Sequence, residues 1–375
     1  MSSTAITKSC VDWRHVGLFL GITFGVSYLL DLFMYLKGGL AAPGAIELLQ
    51  LRMLVPALVA IVLGMFFFRD SPFHVSRPMP DGRRDRARGF FYLYMVVTVM
   101  FITIAVLSIA LPEQKMLAII LKQAAFFVGV LGLLLFRLVG GRNSFARANL
   151  RGGTFLDWLI YGGAIVLFFA LQAALNLLFH LGTVVDVRAL MPGAATVPIP
   201  LLTLIIGAQT VVVGALVGLV VAFGEEQGWR GFLQGQLIKL GKRRGILVVG
   251  LIWGVWHYPV IWMGYNYPGR PVLGTVMMTV FTVLFAYVLG YAVLKTGSVL
   301  LAAFMHAIFN QSAAFFLSLA YKANDAVFSF GIGLYGMAIL AVIVLALQLD
   351  PVWKDAPADT MAGTAREPQP QGHIL

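Results

Sequence analysis

The sequence predicts an all-α protein that crosses a membrane many times, and three observations predict it. Apolar runs of about 20 residues, each long enough for one bilayer crossing, recur along the whole chain. Of 375 residues, 60% are apolar and only 11% are charged, with a mean hydropathy of +0.89. A soluble domain has about a quarter of its residues charged. The runs are continuous rather than alternating with period two, which argues against a β-barrel. One cysteine, Cys10, excludes a disulfide framework and a cysteine-ligated metal cluster.

Ten runs cover about 14–36, 46–68, 90–111, 116–139, 155–181, 201–224, 246–263, 273–294, 298–319 and 327–348. They predict about ten spanning helices, within a range of eight to ten. The first run is long for a signal peptide and lacks a small-residue cleavage pattern, so it reads as a retained helix. It carries Gly17, Gly21 and Gly25 at four-residue spacing, and Asp31 near its end is expected at the interface. The second run has Glu47 near its start. A basic loop containing Arg83-Arg84-Asp85-Arg86 precedes the third run. Lys122, inside the fourth, is expected to snorkel outward. The fifth is bounded by Asp157 and His180. The sixth repeats the small-residue spacing with Gly214 and Gly218, which predicts close packing against another helix of the same chain, with a dimer seam as the alternative. The first glycine series carries the same expectation.

Basic residues orient the bundle. With the N-terminus in the cytoplasm, 20 of the 27 Lys and Arg fall on the cytoplasmic side. Lys37, Arg52, Lys115, Arg188, Arg270 and Lys322 fall opposite. This split predicts ten helices with both termini cytoplasmic. It also gives the formal charge of +11 a topological cause and removes any need for nucleic acid as a partner. Residues 350–375 contain four prolines and are expected to be a disordered cytoplasmic tail.

Ionisable groups inside spans are costly, at about 2.5–3.5 kcal/mol each at a helix centre, and mark function. Three places carry them. The sixth run leads into Glu225-Glu226-Gln227-Gly228-Trp229-Arg230, the seventh contains His257 followed by Pro259, and the ninth contains His306 and Asn310. At about 1.5 Å per residue, His257 lies about 16 Å, His306 about 12 Å and Asn310 about 18 Å from the basic-loop ends of their runs. The groups are therefore expected in the cytoplasmic half of the bilayer, lining one cavity open to the cytoplasm or sideways to lipid.

Helical spacing sharpens the pattern. His306 and Asn310 are i,i+4 and share a face, as do Trp253 and His257. Glu226 and Arg230 are i,i+4, which predicts an ion pair and leaves Glu225, about 100° away, free to face the cavity. Pro259 removes a backbone hydrogen bond and predicts a kink or an exposed carbonyl near His257. Beyond Arg230, apolar and polar residues alternate as in an amphipathic helix lying on the cytoplasmic face.

A carboxylate in a dry site can take a proton from water, a histidine can orient that water, and an asparagine can donate to an oxyanion. The set suits amide hydrolysis by activated water. No serine or cysteine stands in a nucleophile motif, and there is no His-Glu-x-x-His.

The three elements Glu225-Glu226-x-x-x-Arg230, Trp253-x-x-x-His257 and His306-x-x-x-Asn310 resemble the signature of the CAAX protease and bacteriocin-processing (CPBP, or Abi) family of intramembrane proteases. Order, spacing and placement on successive membrane helices match over about residues 200–315. One departure is Trp253, where the family usually has Phe. The resemblance implies a catalytic core in the C-terminal half and an endopeptidase acting on membrane-associated, in one branch prenylated, substrates. It implies Glu225 as general base, His257 as its partner in positioning water, His306 and Asn310 as the oxyanion site, and Glu226, Arg230 and Trp253 as support. The family is often labelled metalloprotease. A zinc ion, if bound, would take Glu225, His257 and His306. A metal-free, glutamate-activated water is favoured, because Asn310 is a poor zinc ligand and a good oxyanion donor.

The organisation expected is helices without a recognised motif over 1–200, the protease core over 201–319, a last helix over 320–349 and the tail. The expected location is a multi-pass integral protein, in a bacterial plasma membrane. Two rival readings are a proton-coupled transporter and a catalytically idle scaffold or immunity protein of the same family. The polar load is confined to the second half, whereas transporters usually repeat it in both halves.

Overall fold

The computed structural model describes residues 10–354 apart from 140, 195, 326 and 328–331. Most of the expected tail lies outside the described residues. Helices stand at all ten predicted runs. They are α1 (Trp13–Leu36), α2 (Ala45–Val62, extended by a π turn Leu63–Phe67), α3 (Arg86–Ala110), α4 (Lys115–Leu138) and, after the short α5 (Arg142–Arg147), α6 (Phe155–Leu178). Then come α7 (Ile199–Leu240), α8 (Lys242–Trp256) with the single turn α9 (Tyr258–Trp262), α10 (Pro271–Thr296), α11 (Val299–Ala314, extended by a π turn Phe315–Leu319) and α12 (Leu334–Leu347). Among the described residues, seven helices are long and apolar enough to cross a bilayer by length and composition. The chain is an all-α polytopic membrane protein. Two short antiparallel strands, β1 (Gly182–Val184) and β2 (Tyr321–Ala323), tie α6 to the end of α11.

Local chemistry sets the helix ends. Asp12 caps α1 by accepting from the His15 N–H, and Thr154 with Asp157 forms a reciprocal capping box on α6. Gly297, at φ 65°, ends α10, and Ser298 caps α11 by accepting from the Leu301 N–H. This turn joins α10 directly to α11.

Close approaches bring the helices together around α7. Gly224 and Gly228 bracket the two glutamates, and a Cβ on either would lie within 2.7 Å of the α2 backbone at Leu54 or Pro56. Gly214 and Gly218 face Gln311 and Ala307 of α11, as the spacing predicts. Gly17, Gly21 and Gly25 differ: a Cβ there would meet nothing within 4 Å among the described residues. That stripe faces outward and is not an intrachain seam.

Four further expectations are corrected. Arg230–Leu240 is not a separate surface helix. α7 continues through a π-helical stretch (Gln227–Leu233), which turns Trp229, Arg230, Leu233 and Gln234 inward, and all four are buried. Asp31 and Arg52 reach no interface: both are buried and form an ion pair at 2.9 Å between α1 and α2. Glu47 and Lys122 likewise pair, at 2.8 Å, joining α2 to α4. In each case a charge placed inside a span is met by an opposite charge on a neighbouring helix, which replaces water as its partner. Residues 350–354, assigned to the tail, are also structured. Asp350 accepts from Tyr291 and Lys295, and Trp353 packs on Tyr287.

Candidate active site

The three sequence elements converge. Glu225, His257, His306 and Asn310 all line one cavity of about 290 Å³. Trp253 lines it with them, while Glu226 and Arg230 lie behind, fully buried.

The two glutamates divide as their 100° separation predicts. Glu225 faces the cavity, and its Oε2 accepts the Trp253 indole N–H at 2.7 Å. Glu226 takes Arg230 Nη1 at 3.0 Å. It also does something helical spacing on α7 alone does not predict: its Oε1 accepts from His306 Nδ1 at 2.8 Å, across to α11. Arg230 completes the support by lying 4.1 Å from the centre of the Trp253 ring.

Both histidines line the cavity with Nδ1 already engaged. His257 Nδ1 lies 2.8 Å from the carbonyl of Trp253 one turn back, so Nδ1 carries the proton and Nε2 is left with a lone pair. His306 gives Nδ1–H to Glu226, leaving Nε2 as an acceptor on a neutral ring and a donor on a doubly protonated one. Asn310, one turn beyond His306, is the most exposed of the four site residues.

The sequence reading missed several lining residues. Arg52 of α2 reaches the cavity although α2 carries no motif. Tyr265 and Asn266 enter from the segment after α9, where Asn266 adopts φ 61°. Phe169, Phe281, Phe285 and Phe309 supply an apolar wall. None of these forms a spaced motif with the polar residues. Their only sequence signals are a lone arginine within an apolar run and a Gly-Tyr-Asn-Tyr-Pro-Gly segment.

The direction of the lining also departs from expectation. It runs from Glu225 toward Tyr265, Asn266 and Ile332, the end of the bundle opposite the arginine-rich segments at 83–88 and 242–244. His257 stands at the C-cap of α8, further from the basic end than the 246–263 run suggested.

The possible zinc ligands do not gather as a metal set does. Among the described residues, the group of three His or carboxylate side chains with ligand atoms within 4.8 Å of one another is Asp12, His15 and Asp70, at the N-terminus of α1. Each site histidine has Nδ1 committed to a protein oxygen, which leaves Nε2 for water or for a metal ion.

Residues 207–312 match the family model described as type II CAAX prenyl endopeptidase Rce1-like. This segment is similar to the core of the CPBP, or CAAX protease, family. The matched range contains every residue of the three motifs and lies within α7–α11. No curated protein and no solved structure matches the chain. The apolar helices, together with the CAAX protease match, support an integral multi-pass membrane protein.

Proposed function

We propose that the chain is an intramembrane endopeptidase that hydrolyses a peptide bond of a membrane-associated protein or peptide, lipidated substrates included, with water activated by Glu225. The observation that carries this reading is the convergence of Glu225, His257, His306 and Asn310 from three helices on one cavity. Glu225 keeps one carboxylate oxygen clear of Trp253 to take the proton from water. His257 Nε2 holds that water through its lone pair. Attack on the scissile carbonyl places negative charge on its oxygen, where the Asn310 amide and the His306 Nε2 edge are the donors at hand. Glu225 then delivers the proton to the leaving amine. The phenylalanine wall receives apolar substrate.

The enzyme acts in the membrane with bilayer lipid and a membrane-associated substrate as its partners. We favour a metal-free site, in which Asn310 serves as an oxyanion donor and not as a ligand. The basic-loop asymmetry supports cytoplasmic termini, and the core corresponds to about 201–319. Both family resemblance and the cavity favour hydrolysis over a proton-coupled carrier. The intact motif set favours an active enzyme over an idle scaffold.

The test is quantitative proteomics on membranes that carry the wild type or Glu225→Ala. A substrate accumulates uncleaved in the variant. Identical membrane proteomes and termini in the two would count against the proposal.

A further inference from the structure

α8 is interrupted beside His257. Pro259 has no N–H, so the carbonyl of Val255, four residues earlier, loses its helical partner. The first two helices, which lie outside the CAAX protease match, supply replacements. Tyr28 of α1 donates its hydroxyl to Val255 O at 2.8 Å. Arg52 of α2 donates Nη2 to the carbonyl of Trp256, the residue next to His257. The Trp256 side chain is held as well: its indole N–H donates to Ser27 Oγ at 2.9 Å, and the Arg52 guanidinium lies 3.5 Å from its ring centre.

Arg52 is itself fixed. Its Nε donates to Asp31 Oδ2 at 2.9 Å, and both side chains are buried. A buried ion pair is weak evidence for stability, since an apolar pair of similar volume is often as stable. The forked guanidinium does what a simple charge does not. It holds a carboxylate and a backbone carbonyl at once while stacking on an aromatic face. The Trp256 and His257 rings are in contact, edge to face at 4.9 Å.

We propose that Arg52, held by Asp31, is a positioning residue for His257: it pins the Trp256 carbonyl at the break between α8 and α9 and so fixes where the His257 ring meets the cavity. The inference rests on the catalytic reading of His257 given above. The N-terminal helices then form part of the working site.

The test uses the full chain in lipid nanodiscs. Arg52→Lys keeps the charge beside Asp31 but lacks the fork, and Arg52→Met removes both. A Glu47→Gln/Lys122→Met double variant removes the other intramembrane ion pair on α2, away from the cavity. Turnover is read with an internally quenched farnesylated peptide ending in Cys-aliphatic-aliphatic-X. The His257 ring is read separately by its ¹⁵N signals in histidine-labelled protein, assigned with His257→Asn.

The expected result is that Arg52→Lys folds with KM within about twofold and kcat lowered about 10–100-fold, the scale of a small misplacement of a reacting group. Its His257 signals shift. Arg52→Met is slower still, while the Glu47/Lys122 variant keeps kcat and the His257 signals. An Arg52→Lys protein with wild-type kcat and unmoved His257 signals would overturn the proposal. A raised KM at unchanged kcat would overturn it too, by making Arg52 a substrate contact. Should the wild type leave the peptide intact, the catalytic reading fails on its own, and the His257 signals still decide whether Arg52 positions the ring.

Discussion

Trp253 donates its indole N–H to Glu225 at 2.7 Å, joining the second sequence motif to the first. Phenylalanine, the family's usual residue there, has no such donor. The substitution of one aromatic for another thus adds a hydrogen bond to Glu225, the proposed general base. Trp253→Phe keeps an aromatic ring beneath Arg230 and leaves Glu225 Oε2 without a donor. A hydrogen bond to a charged group contributes about 1.5–3 kcal/mol, so turnover is expected to fall about 10–100-fold with the fold retained. Unchanged turnover in a folded Trp253→Phe protein would mean that this bond does not orient the base.

Glu226 serves two partners, Arg230 and His306. Breaking a buried ion pair by removing one member costs about 3–5 kcal/mol. Both Glu226→Gln and Arg230→Gln should therefore lower the melting temperature, and the double variant should cost less than their sum. They should differ in turnover. Glu226→Gln also frees His306 and should lose more activity than Arg230→Gln at matched stability. Equal losses in folded protein would make the Glu226–His306 bond structural only.

The cavity lining points away from the arginine-rich loops, so the orientation of the bundle decides which side a substrate approaches from. With those loops cytoplasmic, Asn266 faces the outside. In a Cys10→Ser background, Asn266→Cys should react with a membrane-impermeant maleimide on intact cells. Lys242→Cys should react only after permeabilisation. The reverse pattern would invert the topology.

Metal dependence is checked on purified protein. After chelation and proof by elemental analysis that zinc is gone, activity should persist. Activity lost on chelation and restored by stoichiometric zinc would require the three possible ligands to close around an ion, against their present arrangement.

The sequence made much of this legible because hydrocarbon is an unforgiving solvent. Apolar runs marked the helices, and Glu225, His257, His306 and Asn310 stood out as groups that lipid does not tolerate. The Glu226–Arg230 pair followed from helical spacing alone. What escaped was the pairing between helices. Asp31 and Arg52 looked like interface charges because each lies near the end of its run, and nothing local reports that they meet. The same holds for Glu47 with Lys122. The extension of α7 through Arg230 was misread because its π-helical stretch shifts which residues share a face. The open Gly17, Gly21 and Gly25 stripe carries the same spacing as Gly214 and Gly218, which are packed, so spacing alone did not separate them.

The central claim is that Glu225 activates the attacking water. The most direct measurement compares wild type with Glu225→Gln in nanodiscs, recording cleavage of the farnesylated peptide alongside the melting temperature. Glutamine preserves size and polarity and removes the base. The expected result is a melting temperature close to wild type and turnover lower by about 10²–10⁴-fold, the range for loss of a general base. A folded Glu225→Gln protein that cleaves at the wild-type rate would contradict it.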